Sequence, residues 1–189
     1  MSRFPSPFGS TGGASDDVTA DDTTFDPAGV PEPGPFLDGH DVLTGDAHCT
    51  FHQLTHELFE IRGVYDVTFG YNLAQLNRDD RHPDAGYRYA ADADDPGVLW
   101  AEFTPTTPFC PQSRTLTTGS FRAWNGEADR HDYDVVRVRL HPMHNEAVAV
   151  NDHLGELEER FEATGTVAPL ERDDGDDERR PGGGFESPF

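Results

Sequence analysis

The chain has 189 residues, a length sufficient for one domain with extended ends. It carries 36 acidic residues against 14 basic ones, a formal net charge of −22, and every basic residue is arginine. A surface with this charge argues against binding to nucleic acid or to anionic membranes, because both partners require positive surface. The sequence shows neither a long apolar span nor the apolar core of a signal peptide, so a cytoplasmic protein is expected.

Two explanations of the acidity stay open. The protein has a dedicated basic partner, or it is adapted to a salty cell interior in which salt screens the self-repulsion of the charges. The absence of lysine and the even spread of aspartate favour the second explanation and predict a halophilic source, such as a haloarchaeon. The charge then reflects the solvent and says little about function.

The composition divides the chain into three parts. Residues 1–40 are rich in Pro, Gly, Ser, Thr and Asp and predict a disordered segment, because too little apolar surface is available to offset the entropy of ordering. Residues 166–189 form a second charged, glycine-rich segment with the same prediction. A Ser-Pro-Phe tripeptide occurs near both ends, either as a docking motif or by chance. The folded domain is expected at residues 41–165.

The first half of this domain predicts one helix and one strand. Residues 47–59 predict a helix, with Asp46 as its N-cap and Gly63 as its end. The apolar residues of this helix recur at helical spacing: Phe51, Leu54 and Leu58. Residues 64–71 alternate roughly between apolar and polar and predict a strand. Residues 77–95 predict a polar insertion, in which a Tyr-Arg-Tyr sequence extends a hairpin.

The second half predicts two further strands and two helices. Residues 98–104 predict the second main strand, and residues 111–124 predict a helix interrupted by Gly119. Residues 134–140 alternate and predict the third strand, and residues 145–163 predict the last helix. The buried positions expected in that helix are Val148, Leu154, Leu157 and Phe161. The order α-β-β-α-β-α predicts an α+β fold, a small mixed sheet of three to four strands packed with helices.

The cysteine at position 110 lies at the junction between a predicted strand and a predicted helix. Pro105 and Pro108 cannot donate to a sheet and end the strand, and Pro111 after the cysteine suits the first turn of a helix. The positive end of the helix dipole lowers the pKa of such a thiol and favours a nucleophile or a soft-metal ligand. The alternative is an inert cysteine packed under a turn, and the spacing leaves both open.

A second group of candidate residues lies on the first predicted helix. His52 and His56 share a helical face, and His48 and Cys49 precede them by one turn. Imidazole and thiolate groups at this spacing can bind zinc or iron. The alternative is a set of ordinary residues on a partly buried helix. A disulfide between Cys49 and Cys110 is possible in principle, but a reducing cytosol favours free thiols, ligands or catalysts.

A third group follows the third predicted strand. His141, His144 and Glu146 could hold a metal or relay a proton to Cys110. The alternative is a capping turn, with Asn145 as the N-cap of the last helix. The sequence contains no glycine-rich phosphate loop, no G-x-S-x-G and no H-E-x-x-H motif.

The sequence FTPTTPFC at residues 103–110 resembles the signature of the MIP18-type family of iron–sulfur targeting adapters (DUF59, with SufT-like and PaaD-like members). Residues 133–140 resemble the strand that follows in that family, and two segments between residues 57 and 67 resemble its upstream part. A further match lies in the segment before and within the last helix: His144, Glu146, Val148, Asn151, Leu154 and Glu156. The resemblance covers residues 46–161 and implies a MIP18/PaaD-like domain.

The resemblance implies an adapter in iron–sulfur cluster assembly or targeting, rather than an enzyme that turns over a substrate. In that function Cys110 is the functional thiol and a transient ligand of a cluster or of iron. The residues that support its loop are implied to be Thr104, Thr106, Thr107, His144 and Glu146. The implied partners are an iron–sulfur carrier and client apo-proteins, and an exposed sheet edge would permit a homodimer.

Two other functions stay open at the level of the sequence. One is a thiol enzyme that uses Cys110 with His141 or His144 as the base. The other is a structural metal-binding protein built on the histidine and cysteine residues of the first helix, with Cys49 among the ligands. The enzyme requires a histidine in contact with the Cys110 thiol, and the metal-binding protein requires the side chains of the first helix to converge on one point. The adapter requires neither contact.

Overall fold

The computed structural model describes residues 30–167 and has the α+β fold that the sequence predicts. Within this range it contains a four-stranded mixed sheet, a two-stranded hairpin and three main helices. The elements in chain order are β1 (Asp41–Val42), α1 (Gly45–Arg62), β2 (Tyr65–Asp66), β3 (Tyr71–Asn72), β4 (Gly86–Ala91), β5 (Val98–Thr104), α2 (Ser113–Asn125), β6 (Val135–Leu140) and α3 (Ala147–Thr164). None of the helices between residues 30 and 167 is long and apolar enough to cross a membrane.

The sheet has the strand order β1-β4-β5-β6. β4 pairs antiparallel with β1 and with β5, whereas β5 and β6 are parallel and are joined by α2 as the crossover helix. Side chains from one face of the sheet and from the three helices form a single hydrophobic core. Its largest fully buried side chains are aromatic: Trp124, Tyr87, Tyr89, Phe59, Phe103 and Phe121. These rings account for much of the apolar area removed from water.

Two predictions for the region between α1 and β5 are wrong. Residues 64–71 form no continuous strand, because the carboxylate of Asp66 accepts hydrogen bonds from the amides of Thr68 (2.8 Å) and Phe69 (3.3 Å) and turns the chain. The result is the tight β2–β3 hairpin. The predicted polar insertion, in turn, contains the six-residue strand β4, which lies between β1 and β5. Its Tyr-Arg-Tyr sequence is part of β4 and pairs antiparallel with β5, as the predicted hairpin requires.

The helices agree with the sequence except at particular positions. α1 ends at Gly63 as predicted, where a left-handed φ of 67° suits glycine, but its N-cap is Thr44 rather than Asp46. α2 continues through Gly119, which packs against Val64. Val148 in α3 is 77% exposed, so the prediction that it is buried is wrong. Leu154 and Leu157 are buried and Phe161 packs against the core, as predicted.

The folded part begins earlier than the sequence indicates. Residues 30–40, which the composition assigns to a disordered segment, cross the second face of the sheet, and Leu37 is only 1% exposed. The amide of Phe36 donates to the carboxylate of Glu102 in β5 (3.1 Å), so a buried acid fixes the segment. Burial raises the pKa of that carboxyl group. Residues 1–29 and 168–189, with both Ser-Pro-Phe tripeptides, lie outside the described residues.

Asparagine side chains complete the hydrogen bonds along the free edges of two strands. Asn125, at the end of α2, accepts from the amide of Val136 (2.8 Å) and donates to its carbonyl (2.9 Å), as a neighbouring strand would. Asn151 of α3 makes the same pair of bonds to Leu140. The third such pair joins Asn77 and Tyr87. These side chains satisfy backbone groups that would otherwise lack partners at the strand edges.

We expect Asn125→Ala to destabilise the protein by about 2 kcal/mol or more, because it leaves the buried amide and carbonyl of Val136 without partners. Chemical denaturation at constant high salt measures the free energy of unfolding. Asn145→Ala is the matched control, since that asparagine is exposed. Equal stability of the two variants would contradict the assigned function of the Asn125 side chain.

Candidate functional site around Cys110

The loops that follow β5 and β6 lie side by side because the two strands are parallel and their carboxyl ends meet at one edge of the sheet. The amide of His141 donates to the carbonyl of Phe103 (2.8 Å), directly where both strands end. Farther out, the amide of Asn145 donates to the carbonyl of Pro108 (3.0 Å). The topology therefore brings Cys110 and the third predicted group of residues together, although they are about thirty residues apart in the chain.

Cys110 lies in a turn before α2 rather than in its first helical turn. Its amide donates to the carbonyl of Thr107 (3.4 Å), and its carbonyl accepts from the amide of Ser113 (3.2 Å), the first residue of α2. The predicted start of the helix at residue 111 is therefore two residues early. Cys110 is partly buried and is a free thiol, as is Cys49, so the structure contains no disulfide between them.

The imidazole of His144 holds the backbone of the Cys110 loop. Its Nδ1 accepts from the amide of Glu146 (3.1 Å), and a backbone amide can only donate, so the ring proton lies on Nε2. The Nε2–H then donates to the carbonyl oxygen of Cys110 (3.0 Å). His144 is 4% exposed, and both ring nitrogens are engaged. His144 therefore positions the loop, and its imidazole is directed at the carbonyl of Cys110 rather than at the thiol.

The β2–β3 hairpin completes the site, a contribution that no motif in the sequence indicates. Gln112, two residues after Cys110, donates from Nε2 to the hydroxyl of Thr68 (2.7 Å). Its Oε1 accepts from the amide of Val67 (3.3 Å). The tip of the hairpin is thus fixed against the start of α2. The contact becomes visible only in the folded protein, through the two hydrogen bonds of Gln112, because the two segments are distant in the sequence and share no motif.

The other predicted residues of the loop occupy different environments. Thr104 is 9% exposed at the end of β5, Thr106 is partly buried and Thr107 is exposed. Thr107 contributes its backbone carbonyl to the amide of Cys110, and Glu146 contributes its amide to His144. The expected contacts of the threonine hydroxyls with the thiolate or with a bound cluster stay a prediction.

We expect His144→Ala to loosen the Cys110 loop, because it removes the bond to the carbonyl of residue 110. Hydrogen–deuterium exchange should then be at least several-fold faster for the amides of Phe109, Cys110, Gln112 and Ser113, while exchange in β5 stays as in the wild type. His153→Ala is a suitable control, since this partly buried histidine is in the middle of α3. Unchanged exchange in the loop would show that His144 does not hold it.

In the second predicted group, on α1, the two histidines His48 and His52 are part of the buried interior. His52 is buried, and its ring nitrogens bond the hydroxyl of Tyr89 (2.8 Å) and the carbonyl of Ala74 (2.9 Å). His48 is also buried and stacks on His52, with ring centroids 5.6 Å apart. His56 bonds Gln75 (3.0 Å), and Cys49 is partly buried. Among residues 30–167, no three His, Cys, Asp or Glu side chains are arranged to hold a metal ion.

Burial changes the titration of these two histidines. It lowers the pKa of His52 to about 4, because the charged imidazolium would lose its hydration. It also lowers the pKa of His48 to about 3, with repulsion from His52 and Arg88 as further causes. Both pKa values lie below the ordinary value of 6.5. The unfolded chain therefore binds protons below pH 6.5 that the folded protein does not accept.

The free energy of unfolding should accordingly fall as the pH drops from 6.5 to 4, with His52 contributing up to about 3 kcal/mol of the loss. His52→Gln removes this titrating group, so the variant should lose less stability across the same window than the wild type. Denaturation curves at a series of pH values and constant salt measure the difference. The same pH dependence in both proteins would contradict the burial of a neutral His52.

The fold and the loop together define a class: a small α+β domain that presents one partly exposed thiol at the carboxyl end of a parallel strand pair. Residues 17–168 match the family described as a domain of unknown function (DUF7998). This match spans most of the chain, Cys110 included, and the protein therefore belongs to that family. The search of curated proteins found no match.

Proposed function

We propose that this protein is an adapter in iron–sulfur cluster assembly or targeting, and that Cys110 is its transfer ligand. The observation that carries the proposal is the placement of Cys110, on a loop that backbone and imidazole hydrogen bonds fix at the carboxyl ends of β5 and β6. The resemblance of residues 103–110 to the MIP18-type signature suggests the chemistry, which is transient ligation of a cluster or of iron by the thiol.

A single thiol suits transfer better than storage. Iron–sulfur clusters are held by several cysteine ligands, and Cys110 is one ligand. Among the described residues no group of three His, Cys, Asp or Glu side chains is arranged to hold a metal ion, at Cys110 or elsewhere. A cluster or iron ion bound at Cys110 would therefore share its ligands with a carrier or a client. Such a site lets the cargo leave when another thiolate replaces that of Cys110.

The transfer step is a ligand exchange and balances without an oxidant or a reductant. The Cys110 thiol loses its proton to water and its thiolate sulfur bonds iron as a thiolate of the carrier departs and takes up a proton. A client thiolate then displaces Cys110 from the iron in the same manner. The oxidation state of the cargo is unchanged in both steps, and the product is the client with its cluster.

The geometry disfavours the thiol-enzyme alternative. A catalytic base must contact the thiol, yet both ring nitrogens of His144 bond backbone groups. Nδ1 of His141 likewise accepts from the amide of Met143 (3.1 Å). In this arrangement the histidines shape the loop after β6, and His144 also holds the loop of the partly buried Cys110.

We expect Cys110→Ala to lower the activity of iron–sulfur enzymes in the host cell while the free energy of unfolding stays close to that of the wild type. Cys49→Ala is the matched control, because it removes the other thiol and should leave these activities unchanged. Assays of several iron–sulfur enzymes, normalised to protein amount, give the readout. Normal activities in the Cys110 variant would refute the proposal, and a loss only in the Cys49 variant would point to α1 instead.

A further inference from the structure

Several segments of this acidic chain contain no Asp, Glu, Lys or Arg, although 26% of its residues are charged. Three of them are residues 67–77, 103–113 and 140–145. The first segment contains the tip of the β2–β3 hairpin, the second the Cys110 loop and the third the turn after β6. They are far apart in the sequence, so a local bias in composition does not account for all three.

The fold brings parts of these three segments together around the thiol. Gln112 joins the Cys110 loop to the hairpin through its bonds to Val67 and Thr68. His144 and the amide of Asn145 join the same loop to the turn after β6. The Cys110 loop is therefore flanked on two sides by segments without charged side chains.

Exposed apolar side chains concentrate on this surface. Phe109 is 74% exposed beside Cys110, Val67 is 79% exposed on the hairpin tip, and Met143 is 37% exposed in the turn after β6. We call these residues the Cys110 face: Val67, Phe109, Cys110 and Met143. Between residues 30 and 167 three other large apolar side chains are exposed: Ile61, Tyr65 and Val148.

We propose that the Cys110 face docks the partner protein that exchanges a cluster or iron with Cys110, and that the partner's contact surface is apolar and uncharged. This inference rests on the proposed function and identifies the chemistry of its partner. Exposed apolar clusters on a soluble domain mark interaction sites, and large apolar side chains dominate the centre of protein interfaces. Phe109 is the expected anchor because it is aromatic, exposed and adjacent to the thiol.

The distribution of charge favours a partner protein with an uncharged contact surface. With a net charge of −22, the chain repels an acidic partner across most of its surface. An uncharged face matches an uncharged partner surface, and such a contact does not depend on the electrostatic attraction that salt screens. A second copy of the chain on the same face would cover both Cys110 thiols and prevent exchange with a client. A different protein, with its own cluster-ligating cysteines at the contact, satisfies both requirements.

The first test changes the face without changing the thiol. Phe109→Asp and Met143→Asp in the full-length chain should each reduce host iron–sulfur enzyme activities at least several-fold while the free energy of unfolding is retained. Ile61→Asp is the matched control, since Ile61 is 59% exposed. It lies in the last turn of α1, where Arg62 contacts Gly126 at the opposite end of α2 from Cys110. Activity of the Phe109 variant equal to that of the Ile61 variant would overturn the docking inference.

The second test identifies the occupant. A benzophenone photo-crosslinking residue in place of Phe109, and at position 61 as the control, is irradiated in host cells, and the products are identified by mass spectrometry. The inference is supported if the product at position 109 alone contains a protein with cluster-ligating cysteines, joined through an uncharged apolar peptide. It is overturned if the product is a second copy of this chain, if an acidic peptide is joined, or if both positions give the same products.

Cys110→Ala separates docking from transfer. In the crosslinking chain this substitution should retain the product at position 109 and still lower the enzyme activities, because the apolar contact remains while the ligand is lost. Low activity with Cys110→Ala but normal activity with Phe109→Asp would leave the proposed function intact and overturn the docking inference. Normal activity with Cys110→Ala would refute the proposed function itself.

Discussion

The parallel pairing of β5 with β6 is the constraint on which the candidate site depends. It places the carboxyl ends of both strands at one edge of the sheet, where the amide of His141 already bonds the carbonyl of Phe103 (2.8 Å). Every later contact between the two loops follows from that register, including the bond from His144 to the carbonyl of Cys110. The crossover helix α2 starts from the same place, so the thiol lies between a strand pair and a helix. Asn125 and Asn151 complete the backbone hydrogen bonds along the outer edge of β6 and keep that strand in register.

The buried histidines show that residue type alone does not define a metal site. His52 bonds a tyrosine hydroxyl and a backbone carbonyl, and burial keeps it neutral well below its ordinary pKa. His144 bonds two backbone groups and thereby fixes a loop. In both cases the imidazole satisfies polar groups that would be costly to bury without partners. At Cys110, by contrast, the backbone makes the hydrogen bonds that hold the loop, and the free thiol remains partly accessible.

The acidic surface and the uncharged face around the thiol serve different purposes. Acidic side chains are spread along the chain, and their like charges repel acidic surfaces. Three of the segments without charge converge in the folded protein, through Gln112 on one side of Cys110 and through His144 on the other. An apolar contact at that place would be specific by shape and by the position of the thiol. The surface charge would then prevent non-specific association elsewhere.

The sequence by itself determined the α+β class, the second main strand, the ends of several helices and the thiol at a strand–helix junction, because periodicity, proline and glycine act locally. It placed too little structure before residue 41 and in the predicted insertion, where Leu37 and Tyr87 are buried by contacts with distant strands. It also missed the hairpin at Asp66. Residues 64–71 alternate as in a strand, and the sequence does not show that the Asp66 carboxylate bonds the next amides and turns the chain. The sequence resemblance already implied that His144 supports the Cys110 loop. Only the tertiary structure decided that its imidazole bonds the carbonyl of Cys110 rather than the thiol, because strand register sets that distance.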